Sequence, residues 1–177
     1  MRNKQLKILA QVSLLVALAL IIKISTSQSF FVWGVWARFN VAGVASQMVP
    51  ILFGPLWGAA SGAVVDILNF FISQPPPWLP HITALEMLSA ILLWYLWKTV
   101  RIEDKHLKMF TVLFITDVVY TTLNTVGLKL FTPHMQGLSF GLTLSVRLGV
   151  AVLVTIVKAD VMTKILDIYN KHIKDKA

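Results

Sequence analysis

Few residues in this chain can do chemistry, and most of those sit in apolar surroundings. Asp66 follows Gly54, Gly58 and Gly62 at intervals of four, with Ala59 and Ala63 beside them. On a helix that spacing forms one slowly drifting stripe of small residues, which lets a neighbouring helix approach closely. The glycines therefore read as packing. Asp66 reads as a functional or gating residue, because an ionisable group inside an apolar segment is costly unless it faces a polar cavity or a partner. Arg147, between Val146 and Leu148, poses the same question: it either points into a cavity or snorkels, or it forms a buried pair with Glu86 or Asp117. Arg38 stands beside Trp33, Trp36 and Asn40, a group able to stack on a planar ring and hold an anion, or to anchor the chain at a membrane interface.

Glu86, Asn69, Asn124, His81 and Lys129 are predicted at one depth, in or just beyond the outer halves of three helices, with Phe70 and Trp78 close by. Any one alone is a helix cap or a packing hydrogen bond, but several at a shared depth point to an extracytoplasmic binding pocket. Asp117 falls nearer the opposite half and reads as structural. Catalytic patterns are missing: there is no HExxH, GxSxG or GxxxxGK[ST] run, and no cysteine. Neither an enzyme nor a cofactor or metal site is expected, and ATP hydrolysis would have to come from another protein.

The elements that must hold these residues follow from composition. Hydrophobic residues make up 56% of 177 residues and charged ones 14%, with mean hydropathy +0.74, far from a soluble surface. In hydrocarbon each backbone amide must be satisfied within its own segment, so long apolar runs become helices. A crossing takes about 20 residues, and the chain is read as one domain, 1–177, of six transmembrane helices. Their predicted bounds are Leu6–Ile24, Val41–Phe53, Leu56–Ile72, Ile82–Trp97, Met109–Phe131 and Phe140–Ile173. Gly54-Pro55 and the four prolines of Gln74 to Pro80 punctuate them, and Ser25 to Asn40 is expected to be an outer loop or short cap. The basic N-terminus before Ile8–Ile22 has the outline of a secretory signal, but the continued hydrophobicity favours a retained first helix. The net charge of +8 gathers at the two ends and in Lys98–Lys108. With both termini cytoplasmic, all three basic clusters share one side, so the charge is a topology signal and nucleic acid is not an expected partner.

The run Arg38 to Phe71, RFNVAGVASQMVPILFGPLWGAASGAVVDILNFF, resembles the signature of substrate-binding S components of energy-coupling factor (ECF) transporters. Phe53, Gly54, Pro55, Gly58, Gly62 and Asp66 match its Phe-Gly-Pro turn and Gly/Ala-rich helix, while Arg147 in SVRLGV and Asn124 in TTLNTVGL resemble the folate branch. The resemblance implies an all-α, six-helix bundle in the bacterial cell membrane that captures a vitamin outside. Delivery would follow by toppling against a membrane scaffold subunit driven by two cytoplasmic ATPases. It also implies a small-residue contact face for the scaffold on helix 1, offered here by Ala10, Ser13 and Ala17. Folate is the favoured ligand, since ring partners (Trp33, Trp36, Phe70, Trp78) accompany cations (Arg38, Arg147, Lys129) suited to its carboxylates, and Asp66 or Glu86 can accept from a pterin. Pantothenate and a queuosine precursor are the alternatives on the same fold. A membrane enzyme using Asp66, Glu86 and His81 on a lipid, and a non-catalytic scaffold, are the competing classes.

Overall fold

The computed structural model describes the backbone of residues 2–26, 29–32, 35–38, 43–73, 79–131, 137 and 139–172, and the side chains of 5–25, 43–72, 79–131, 137 and 139–171. Six helices stand in this part of the chain: α1 (Arg2–Thr26), α2 (Gly43–Phe53), α3 (Pro55–Ser73), α4 (Pro80–Thr99), α5 (Lys105–Phe131) and α6 (Phe140–His172). Their bounds follow the punctuation of the sequence to within a few residues. Between α1 and α2, where only a loop or cap was expected, Ser29–Val32 (β1) and Val35–Arg38 (β2) pair antiparallel, with Phe31 opposite Trp36. Aromatic and β-branched residues in both segments are the composition that favours such pairing. β2 lies against α6.

Each helix end has a local cause. Gly54 takes φ +101°, a backbone conformation that a side chain would strain, and the turn is closed by Gly54 N–H donating to Pro50 O at 3.1 Å and Gly58 N–H to Gly54 O at 3.0 Å. Pro55 then opens α3 and Pro80 opens α4, positions where a missing N–H costs nothing. Asp104 caps α5, its carboxylate accepting from Leu107 N–H at 2.7 Å.

The glycine stripe is a packing device. A Cβ on Gly58 would lie 2.5 Å from Pro50 Cβ, and one on Gly62 would lie 3.3 Å from the Glu86 carbonyl. α3 is thus pressed against α2 at one glycine and against α4 at the next. The main core joins α2, α4, α5 and α6 through Met48, Leu93, Met109, Leu113 and Met162, and a smaller one joins α1, α2 and α3 through Ala19, Ala45 and Val65.

Among the described residues, the segments Gln5–Ser25, Pro55–Ile72, Lys105–Phe131 and Phe140–Lys171 are long and apolar enough to cross a membrane. Outward-facing side chains on these helices are large and greasy: Leu14 is 72% exposed and Leu56 83%. Such a surface belongs in lipid, and the protein is a membrane protein. α2 is different, since its 11 residues rise about 16 Å, about half of a hydrocarbon core of roughly 30 Å.

Candidate functional site

α1, α3, α4, α5 and α6 bring polar side chains together toward the bundle end where α4 and α6 begin. Asp66 lies about two turns from the end of α3 and is held from two sides: Lys23 Nζ stands 3.3 Å from Oδ1, and Thr83 Oγ1 donates to Oδ2 at 2.6 Å. The carboxylate therefore ties α1, α3 and α4 together. One turn along α4 from Thr83, Glu86 Oε1 accepts from the Tyr120 hydroxyl at 3.0 Å. Arg147 on α6 donates from Nη1 to Thr125 Oγ1 on α5 at 3.0 Å. Four contacts thus gather polar side chains toward this end of the bundle.

Closer to the bundle end, the His81 ring stacks on Phe131 at 5.0 Å between centroids and lies over Gly127, where a Cβ would come within 2.5 Å of it. Asn124, one turn earlier on α5, is 7% exposed. His81 Nε2 and Asn124 Oδ1 are buried and have no hydrogen-bond partner among the described residues. Buried polar atoms are nearly always satisfied, so two neighbouring exceptions in a polar cluster mark a place where a solute's own groups can complete the bonding. Lys129 Nζ lies 6.0 Å from the Phe140 ring centre. Asn69 is half-buried on α3, and Phe70 packs edge-on against Phe71 at 5.6 Å.

Of the residues predicted to bind, the structure places Asp66, Asn69, Phe70, His81, Glu86, Asn124, Lys129 and Arg147 toward this end. Trp36 and Arg38 fall in β2, and their side chains are outside the described residues, as are Trp33, Asn40 and Trp78 entirely. The suggested partner face on α1 is turned outward: Ala10, Ser13 and Ala17 are exposed while Val12, Val16 and Ala19 pack inward.

A second polar group, closer to the Gly54 turn, escaped the sequence reading in all but one member. Asp117 is bridged by Lys158 Nζ at 2.6 Å, by Gln47 Nε2 at 3.2 Å and by Thr155 Oγ1 at 2.7 Å, and Lys158 also donates to Gln47 Oε1 at 3.1 Å. Lys158 is 5% exposed. The signal was a lysine between Val157 and Ala159 and an aspartate between Thr116 and Val118 on adjacent helices, each too costly to bury without the other. Asp117 is thereby engaged by Lys158, and Glu86 by Tyr120, while Arg147 donates to the Thr125 hydroxyl.

A cavity of about 410 Å³ opens between α4 and α5 and reaches Pro55. None of the predicted binding residues lines it, and its walls are apolar side chains such as Leu85, Leu88, Ile91 and Leu123. Among the described residues no group of histidine and carboxylate side chains is spaced to hold a metal ion. Comparison with protein-family models gave no match. Comparison with curated proteins gave none either.

Proposed function

We propose that this protein is the membrane-embedded binding subunit of a vitamin uptake system of the ECF type, capturing a ring-bearing anionic solute, folate first among them, at the bundle end formed where α4 and α6 begin. The observation that carries the reading is the convergence there of an arginine, two carboxylates and two buried polar atoms that have no partner among the described residues, drawn from separate helices. Arg147 would meet a carboxylate of the solute, Asn124 and His81 its ring polar atoms, and the β1–β2 hairpin, carrying Trp36 and Arg38, would approach from outside.

In this reading the chain threads the bacterial plasma membrane six times, and both ends lie in the cytoplasm. The exposed small residues Ala10, Ser13 and Ala17 would receive the scaffold subunit, which two ATPases drive. The test is direct: small molecules co-purified with the protein are identified by mass spectrometry, and tryptophan fluorescence is titrated with folate, pantothenate and a queuosine precursor. Saturable quenching by folate at sub-micromolar concentration is expected. Quenching by one of the other two alone reassigns the ligand, and no response to any of the three removes the capture reading.

A further inference from the structure

We infer that the cavity between α4 and α5 is a binding site for one acyl chain of an anionic phospholipid, whose headgroup rests on the basic α4–α5 connection. Leu85, Leu88, Ile91 and Tyr95 on α4 face Val119 and Leu123 on α5 across it. Four hydroxyl-bearing residues also line it; Tyr95 stands exposed at one end, and the hydroxyls of the other three are spent inside the protein. Ser89 donates to Glu86 O at 2.9 Å, Thr116 to Val112 O at 2.8 Å and Tyr120 to Glu86 Oε1 at 3.0 Å. Between its ends a polar solute would meet hydroxyls already engaged, while a hydrocarbon chain gains contact along the whole length of the walls.

The length agrees with one leaflet. From Leu85 to Tyr95 the groove follows α4 for about 15 Å at the helical rise, which is roughly half the hydrocarbon thickness of a bilayer. Its Tyr95 end, level with Pro55, stands one turn from Lys98. That end carries the charge an anionic headgroup needs: Lys98 in the last turn of α4, Arg101 in the short connection, and Lys105 and Lys108 in the first turn of α5, against Glu103 and Asp104. Lys105 is bound to Asp167 at 2.9 Å and the Asp104 carboxylate caps α5. Lys98 and Arg101 are exposed, and Lys108 lies over the Trp97 ring at 4.8 Å. A phosphate at this level would be drawn to the three remaining cations, while a zwitterionic headgroup would gain much less.

Native mass spectrometry of the detergent-purified full chain with dioleoyl phosphatidylglycerol or dioleoyl phosphatidylcholine tests this. The wild type should hold the anionic lipid about ten-fold more tightly than the zwitterionic one. Lys98→Gln/Arg101→Gln/Lys108→Gln should bring the anionic lipid down to the level of the other, leaving the zwitterionic affinity unchanged. Ser89→Phe, which fills the groove, should weaken both lipids together, and Leu88→Trp at its exposed rim gives a second, milder block. Equal binding of both lipids to the wild type overturns the proposal. So does anionic preference that survives the triple substitution, or phosphatidylglycerol binding that neither groove variant lowers.

Discussion

The most demanding residues in the molecule are Lys158 and Asp117, because both are buried and each is tolerable only beside the other. Removing one partner of a buried pair leaves an uncompensated charge, a loss of about 3–5 kcal/mol, whereas replacing both with apolar groups of similar volume is close to neutral. Lys158→Met alone should therefore lower stability strongly, and Lys158→Met/Asp117→Leu should recover most of it; unfolding of the purified variants in micelles reads the difference. A double variant as weak as the single one would show that Gln47 and Thr155, left without the carboxylate, carry the larger cost. Arg147 belongs to the other cluster and should behave differently. Arg147→Ala is expected to leave the fold intact and to weaken an anionic vitamin by about 2–4 kcal/mol through loss of a desolvated charge pair, measured by fluorescence titration. Arg38→Ala should act in the same direction, and unchanged affinity in both variants would put the binding site elsewhere.

At the scale of elements, α2 and α3 form a tight hairpin whose geometry depends on two glycines. Gly54 supplies the positive φ of the turn, and Gly58 the room for Pro50. Gly58→Val places carbon where the proline ring already stands, so the helices must separate. A loss of about 1–3 kcal/mol is expected, visible as a lower melting temperature, and melting at the wild-type temperature would mean that the Pro50 contact yields freely. α1 packs against α2 and α3 but leaves Ala10, Ser13 and Ala17 outward. Ser13→Trp or Ala17→Trp should accordingly leave solute binding unchanged and stop uptake in cells, and uptake that survives both would exclude this face as the scaffold's contact.

For the molecule as a whole, the distribution of charge and of exposed apolar side chains makes one arrangement testable. Single cysteines at Gln5, Glu103 and Lys171, in a chain that has none of its own, should be labelled by a membrane-impermeant reagent only after the cells are opened. A cysteine at Gly137 should be labelled in intact cells. Labelling of Glu103→Cys in intact cells would reverse the orientation and with it the outward-facing pocket.

Helix count and helix limits could be read along the chain because they are local: an apolar run either reaches the length a helix needs or it does not, and Gly54-Pro55, Pro80 and Asp104 act on the backbone beside them. The shared depth expected of Glu86, Asn69, Asn124, His81 and Lys129 has the same origin, as distance from a helix end is a count of residues. Pairing was not. That Asp66 is held by Lys23 and Thr83, that Glu86 meets Tyr120, and that Lys158 crosses to Asp117 depend on how helices far apart in sequence rotate and lean on one another. Those rotations are chosen by close packing over the whole bundle, through contacts such as Gly62 on Glu86 and Gly127 on His81, and no short window of consecutive residues contains them. The α4–α5 groove has the same origin, for it is the space two helix surfaces leave when packing elsewhere has set their positions.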